Sequence, residues 1–402
     1  MEKFDSALMP TEPSMNVLRR YNQTVALATS AVLLLSGCEF ADSPDEGPRA
    51  STTSASPLPL HTKGCLQPTL QELHTARTLL TSPDEPQVTA NNNANSAKLL
   101  PKGSPILSNS DFRIWQHQIA TEQGLKLADS PMGFGSNLSL KESELILNNP
   151  LAVLDGLSAF AKNYDLTITI PQSESDLQGL NVAPLNNEIA TGGSVVGGNL
   201  DSLRDDLQEY PTDIFKYLGI KHIALVRGDR NVKLDNGKTI DIGGQVDFSR
   251  HRDTIYVDIY SPRVLDHEIM HTIDYTIGCM THGDIAYNAL NNNVPVYAEE
   301  TPKDVYSSEG LWQQNYDREK QNKPLLDPAN IYTTTDYGFT NILEDKAEAG
   351  KYLLDNQFAS LCYKGAQRLR AKAALLLARI RKWYPGYGNY LVTTAAHCTP
   401  ER

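Results

Sequence analysis

The sequence has few basic residues and few long apolar runs. Its 36 lysines and arginines stand against 48 aspartates and glutamates, which gives a formal net charge of −12. Because phosphate binding needs a basic surface, this balance argues against nucleic acid as a partner. After one apolar stretch near the N-terminus, no second run is long enough to span a membrane, and no segment repeats. The 402 residues suffice for one large domain or two modest ones with a proper core.

A glycine-rich segment lacks the residues that bind phosphate. Four of the seven residues from 192 to 198 are glycine. A phosphate-binding P-loop also needs a lysine followed by serine or threonine, and neither pair is present here. We therefore predict an irregular loop over residues 175–198 and no nucleotide site.

The N-terminus carries the pattern of an export signal. Arg19 and Arg20 form a short positive region, and residues 24–35 are apolar but too short for a comfortable membrane span. Small residues then lead into Cys38, which resembles the lipobox of bacterial lipoproteins and implies lipid attachment to that thiol. Glu39 after it favours the outer membrane or cell surface, with the protein facing the periplasm or the exterior. An ordinary secretory signal and a buried apolar helix are the alternatives.

Composition divides the chain into four segments. Residues 1–37 are predicted to be a lipoprotein signal peptide. Residues 38–105 are poor in core-forming side chains and are predicted to be a flexible tether with one short helix from residue 65 to 80. Residues 106–198 are predicted to form the N-terminal part of the folded body, and residues 199–402 its main domain.

Export places the cysteines in an oxidising compartment. With Cys38 lipidated, an even number is left, which suggests two disulfides. The remaining cysteines are Cys65, Cys279, Cys362 and Cys398. Sequence alone allows three pairings. We prefer Cys279 with Cys362 and Cys65 with Cys398, because Cys279 and Cys362 follow two helices that are predicted below to share a metal.

The motif HEIMH lies in a segment with clear helix boundaries. Ser261 can cap a helix, Pro follows it, and Gly278 is a plausible stop. His267 and His271, four residues apart, point from one face of a helix, and this spacing suits two nitrogen ligands of one tetrahedral Zn²⁺. Glu268 lies about 100° around the helix, where it can hold a water without being a ligand. The alternative is a helix with two satisfied core histidines.

A catalytic zinc needs a third protein ligand and leaves a fourth position for water. The class of enzymes with a third histidine six residues after the second is excluded, because Ile277 stands there. The best candidate is Glu344, one helical turn before Glu348 and beside alanines that allow close helix packing. The other candidates are His282, Glu299 and Glu300. A solvated acidic helix face is the alternative for residues 336–354.

Two segments together resemble a known enzyme family. HEIMHTIDY followed by YGFTNILEDKAEA resembles the gluzincin metallopeptidases, in particular the layout of the anthrax lethal factor catalytic domain. The likeness covers roughly residues 199–355. It implies an α/β (α+β) fold: a zincin-like catalytic domain with a small mixed sheet, an HExxH helix and a second helix that supplies a glutamate.

The resemblance also implies roles for single residues. The implied zinc ligands are His267, His271 and Glu344. Glu268 would be the general base, and Tyr337 would steady the oxyanion. The groups implied to hold the histidines in the right tautomer are Asp274 and Glu348.

These observations predict a lipid-anchored zinc metallopeptidase that acts on a peptide or protein substrate. Residues 254–260 alternate as a strand, and we predict an exposed edge that pairs with an extended substrate, an internal strand being the alternative. One rival function is a peptidoglycan-cutting zinc hydrolase. The other is a non-catalytic binding or scaffold lipoprotein with a relic site.

Two charged features are expected to face solvent. Asp266 precedes the motif at a position that can point outward. Residues 363–388 form a helical pattern with basic residues on one side and leucines on the other. Such a helix usually packs its apolar stripe on the domain and solvates its charges, although it could also touch an anionic membrane surface.

Overall fold

The computed structural model describes the following residues: 64–81, 88–90, 98–100, 109–129, 146–228, 232–233, 239–240, 243–261, 264–297, 302–354 and 366–394. The predicted signal peptide, Cys38, Cys362, Cys398 and the ligand candidates Glu299 and Glu300 lie outside them. Among the described residues, none of the helices combines the length and the apolar character needed to cross a bilayer.

The described part of the chain has an α+β fold with twelve helices and a small mixed sheet. The helices are α1 Leu70–Thr81, α2 Asn109–Glu122, α3 Pro150–Ala161, α4 Glu188–Thr191, α5 Gly193–Leu207, α6 Ile214–Leu218, α7 Leu265–Thr276, α8 Ile285–Asn288, α9 Ser308–Lys320, α10 Ile342–Leu354, α11 Gln367–Trp383 and α12 Pro385–Thr394. The strands are β1 Val88–Ala90, β2 Lys98–Leu100, β3 Thr167–Thr169, β4 Val182–Ala183, β5 His222–Gly228, β6 Val232–Lys233, β7 Thr239–Ile240, β8 Gly244–Val246, β9 Thr254–Asp258, β10 Tyr306–Ser307 and β11 Ile331–Thr333.

The central sheet has the order β3-β5-β9-β8, and β4 also pairs with β5. Strands β3, β5 and β9 are parallel, while β4 and β8 run antiparallel to their neighbours. Ile223 and Ile255 point into a large core shared with the surrounding helices. Ala224 and Tyr256 point to the opposite face, where they pack against Leu177. The parallel strands are thus buried on both faces, as is usual for such strands.

The predicted exposed edge at residues 254–260 is wrong. Strand β9 lies between β5 and β8, and all five of its residues are buried. Its alternating pattern suggested one solvated face, but Tyr256 on that face is covered by the segment around Leu177. The edge of the sheet on this side is instead β8, which pairs with β9 from Gly244↔Val257 to Val246↔Ile255.

Three of the four glycines in residues 192–198 belong to helix α5, and the fourth, Gly192, links α4 to α5. Helix α5 begins at Gly193, whose φ of +54° is the left-handed conformation that glycine adopts readily. Gly197 lets the helix approach the chain at residue 147: a Cβ there would lie 2.0 Å from the Leu147 carbonyl oxygen. The predicted loop is therefore wrong from residue 188 onward. The same helix spans the boundary that we predicted at 198/199.

A disulfide joins the N-terminal segment to the end of α7. It links Cys65 and Cys279, so the preferred pairing of Cys279 with Cys362 and of Cys65 with Cys398 is wrong. The reason is the path of the chain before α1, where the Leu66 amide donates to the Ile277 carbonyl at 3.0 Å. The predicted short helix is present as α1, and it packs on α11.

Helix α11 does not solvate all of its charges. Lys372 and Arg379 are fully buried. The Lys372 ammonium lies 2.5 Å from Asp345, and the Arg379 guanidinium donates to both oxygens of Asp284 at 2.7 and 2.9 Å. The expectation of a solvated basic face is therefore wrong at these two positions, because each cation has a carboxylate partner inside the protein.

Candidate metal centre

Helix α7 is buried along most of its length, from Leu265 to Asp274. It packs against α10, and a glycine makes their contact close: a Cβ at Gly350 would lie 2.2 Å from Cγ of Met270. The predicted alanines beside Glu348 are also buried at this contact. The two helices therefore lie near enough for their polar side chains to meet.

Three donor atoms converge between these helices. Nε2 of His267 lies 3.0 Å from Nε2 of His271 and 3.0 Å from Oε2 of Glu344. Nε2 of His271 lies 3.2 Å from the same Glu344 oxygen. All three side chains are buried. A tetrahedral zinc with bonds of about 2.0–2.1 Å separates its ligand atoms by about 3.3 Å, so the triangle has the size of one face of such a site.

These residues form a group that can hold a metal ion, the only group of this kind among the residues described. Of the other candidates for the third ligand, His282 is exposed in a loop and is not part of the group.

The charges of the group also suit a cation. Burial would raise the pKa of Glu344, but the imidazoles of His271 and His267 outweigh it and lower the pKa to about 2. Burial would likewise raise the pKa of Glu348, which Lys351 and His267 lower to about 2. Burial disfavours a charged His267, yet the two glutamates raise its pKa to about 10. Both carboxylates stay ionised at neutral pH and attract positive charge to this point.

Glu268 is on α7, and its side chain points toward the edge strand of the sheet. Its side chain is fully buried, and its backbone carbonyl accepts a hydrogen bond from the Thr272 hydroxyl at 2.9 Å. Strand β8 passes directly over it: a Cβ at Gly244 would lie 3.1 Å from Oε1 of Glu268 and 2.8 Å from Cγ1 of Val264. Glycine at position 244 therefore leaves the space in which the carboxylate stands.

Glu348 and Asp274 have different surroundings, although the family resemblance implies one role for both. Oε1 of Glu348 lies 2.7 Å from Nδ1 of His267, on the side of the ring away from the donor triangle. Asp274 instead pairs with the buried ammonium of Lys346. No contact of Asp274 with an imidazole is among its described interactions.

Tyr337 and Asp266 complete the set of predicted residues. Tyr337 is buried in the short turn Asp336–Phe339 that leads into α10, and its ring centroid lies 5.8 Å from that of His267. Asp266 is buried and accepts a hydrogen bond from the Tyr210 hydroxyl, so its expected outward position is wrong. Tyr210 lies 56 positions before Asp266, so the local pattern around Asp266 does not show this contact.

Sequence reasoning missed the charged residues that surround the centre. They are Lys346, Asp284, Asp345, Lys372 and Arg379. A signal was present for three of them, because Lys346, Lys372 and Arg379 interrupt helices whose other residues are largely apolar. Buried cations in such positions are almost always paired. The glycine pair at positions 243 and 244, where β8 begins, was a comparable signal of close approach.

No protein-family model, no curated protein and no solved structure matches this chain. The interpretation of the centre therefore rests on its own residues and their geometry.

Proposed function

We propose that the protein is a zinc-dependent metallopeptidase of the gluzincin type, held at the membrane by a lipid on Cys38 and facing the periplasm or the cell exterior. One observation carries the proposal. His267 and His271 meet Glu344, more than seventy residues away in the sequence, at distances of 3.0–3.2 Å, and a buried glutamate follows the first histidine directly.

The donor set favours zinc over other common ions. Two imidazole nitrogens and one carboxylate are typical of a catalytic zinc with an open fourth position. Calcium and magnesium prefer oxygen ligands throughout, which this group does not offer. Zn²⁺ is therefore the cofactor that we propose.

The protein residues have distinct tasks in peptide hydrolysis. His267, His271 and Glu344 would hold the zinc ion, which would supply Lewis acidity that lowers the pKa of water from about 15.7 to about 7. Glu268 accepts the proton from the attacking water at its carboxylate and returns it to the leaving amine. Tyr337 donates a hydrogen bond from its hydroxyl to the developing oxyanion.

Glu348 sets the tautomer of the first histidine. A carboxylate can only accept, so the contact at 2.7 Å requires a proton on Nδ1 of His267. Nε2 of that ring faces Glu344 at 3.0 Å, and a metal ion bound there would replace the proton on Nε2 and use its lone pair.

The edge strand offers a place for the substrate. Strand β8 ends the sheet, and among the described residues no strand pairs with its far side. It also runs past Glu268 at Gly244. All three residues of β8 are buried, so an extended peptide would add to this edge only once the chain that covers it moves aside, and it would then carry its scissile bond toward the base.

The test is metal content and peptide hydrolysis by the full chain. We expect one zinc per chain and cleavage of a broad library of unstructured peptides. Glu268→Gln should keep the zinc and lose activity by about 10²- to 10⁴-fold, because only the proton acceptor is removed. Cleavage of purified peptidoglycan alone would instead favour the peptidoglycan hydrolase. Zinc binding without any cleavage would favour a binding lipoprotein.

The lipid anchor has its own test. Cells grown with a labelled fatty acid should incorporate the label into the wild-type protein and not into Cys38→Ser. Labelling of both proteins would contradict the anchor at this position and would leave the peptidase proposal standing.

A further inference from the structure

Lys346 is a buried cation at the boundary between the two metal-binding helices. Only 1% of it is exposed, and it lies on α10 two residues after Glu344. Its ammonium contacts the carboxylate of Asp274, the carbonyl oxygen of Cys279 at 2.6 Å and the Asp284 carboxylate at 3.5 Å. An ammonium has three N–H donors, and each of these acceptors can take one.

The acceptors lie on the HExxH helix and on the chain that leaves it. Asp274 follows His271 on α7 by about one turn, and Cys279 comes just after the helix ends. The ammonium therefore spans the same two helices as the donor triangle, on the C-terminal side of His271.

The charges around the ammonium balance. Asp284 also accepts hydrogen bonds from two nitrogens of the Arg379 guanidinium. Two cations thus face two anions in a region without solvent. Such a network is stable only while every member keeps its partner, and its geometry is correspondingly fixed.

We propose that Lys346 is a positioning residue of the metal centre: its ammonium fixes the spacing of α7 and α10, and this spacing brings Glu344 to the two histidines. The inference rests on the proposed function, because the affinity that it concerns is that for zinc. Loss of the Lys346 ammonium would widen the donor triangle. Removal of an outer group that positions metal ligands typically changes metal affinity by about 10- to 100-fold.

A second buried lysine provides a matched control. Lys372 is fully buried and pairs with Asp345 at 2.5 Å. Glu344, Asp345 and Lys346 are consecutive residues of α10, so both lysine pairs involve a position close to the metal-binding glutamate. The Lys372 pair, however, ties α10 to α11, which carries none of the three donors.

The experiment compares two neutral double variants of the full chain. Lys346→Met with Asp274→Asn removes the tie between the two metal-binding helices and keeps the charge balance. Lys372→Met with Asp345→Asn does the same for the control pair. The readouts are the zinc dissociation constant, measured by competition with a chelator, and the visible absorption spectrum of the cobalt-loaded proteins.

We expect the zinc dissociation constant to rise by about 10- to 100-fold in the first double variant and by less than about threefold in the control. The cobalt spectrum should change only in the first. Equal affinities in both double variants would overturn the inference.

Two further measurements keep the result decisive. Wild-type protein that binds no zinc would overturn the proposed function itself, whereas tight binding by the wild type and by both double variants overturns only the role of Lys346. If the first double variant does not fold, Lys346→Arg keeps the charge and needs a wider space for its planar group. We expect weaker zinc binding than in the wild type, and unchanged binding would overturn the inference.

Discussion

Helices α7 and α11 both bury ionisable side chains, but they do so with opposite consequences. On α11, Lys372 and Arg379 each have a carboxylate partner inside the protein. On α7, the imidazoles of His267 and His271 lie against the carboxylates of Glu344 and Glu348. The first arrangement is complete without a ligand, while the second gains from an added cation. Internal charge balance thus distinguishes the paired charges of α11 from the proposed metal centre on α7.

The largest expected effect is on the α11 side of this comparison. Arg379→Met leaves Asp284 buried with the more distant ammonium of Lys346 as its remaining charged partner among the described contacts. Removal of one member of a buried ion pair costs about 3–5 kcal/mol. Chemical denaturation of the metal-free protein should show a loss of this size. A loss below about 1 kcal/mol, typical of exposed pairs, would break the comparison.

The same variant has a predictable pH dependence. Burial would raise the pKa of Asp284 above its ordinary 3.8, but Arg379 and Lys346 outweigh burial and hold the pKa below that value. A carboxyl with a lowered pKa stabilises the fold above its unfolded pKa, and this stability is lost as the pH falls through the folded pKa. The difference in unfolding free energy between wild type and Arg379→Met should therefore be full at neutral pH and should narrow as the pH falls below 3.8.

Metal removal tests the α7 side. At free zinc about 1,000 times the dissociation constant, binding to the native state adds about 4 kcal/mol to the free energy of unfolding. A chelator should remove this increment from the wild type. The chelator should leave the free energy of unfolding of His271→Ala unchanged, because that variant lacks one of the three donors. A chelator effect of equal size in both proteins would place the metal elsewhere.

A smaller effect is expected at Gly244, on the edge strand. A methyl group there would meet Val264 and the carboxylate of Glu268. Gly244→Ala should displace the base and lower kcat by about 10- to 100-fold, since misplacement of a reacting group by about 1 Å has consequences of that order. The zinc dissociation constant should stay the same, because no donor atom lies against Gly244. Weaker zinc binding would show that the strand supports the metal rather than the base.

The smallest effect is expected at the surface. Lys382 on α11 pairs with Glu72 on α1 at 3.2 Å, and both side chains are about one-third or more exposed. Solvent screens such a pair, so Lys382→Ala should change the free energy of unfolding by less than about 1 kcal/mol. Lys382 and Arg379 are both cations on α11, so the comparison of Lys382→Ala with Arg379→Met shows how much burial contributes to the free energy of unfolding.

The sequence predicted the features of this fold that are set by local patterns. The helix from Leu265 to Thr276, the helix that carries Glu344 and the strand Thr254–Asp258 all lie within segments whose patterns predicted them, although the first helix begins at Leu265, after Val264, and not with a cap at Ser261. Their patterns repeat within a few residues, so neighbouring side chains are sufficient to define them.

Features that depend on distant partners were not predicted. Tyr256 is buried in a cluster that includes Leu177, the disulfide joins residues 214 positions apart, and Arg379 meets Asp284 across 95 positions. A pattern of alternation or of charge shows which residues share a face, but not what covers that face. The spatial meeting of Glu344 with the histidines was anticipated only through the motif and the family resemblance.

The disulfide between Cys65 and Cys279 determines how mechanical load passes through the molecule. It closes residues 65–279 into a covalent loop, since the two cysteines are separated by 214 positions. A pull that begins at α7 reaches the chain upstream of residue 65 through the three residues beyond Thr276 and one sulfur–sulfur bond. The sheet and helices α1 to α6 lie off this route. Tension between a substrate gripped at the metal centre and the N-terminal segment would therefore bypass most of the fold.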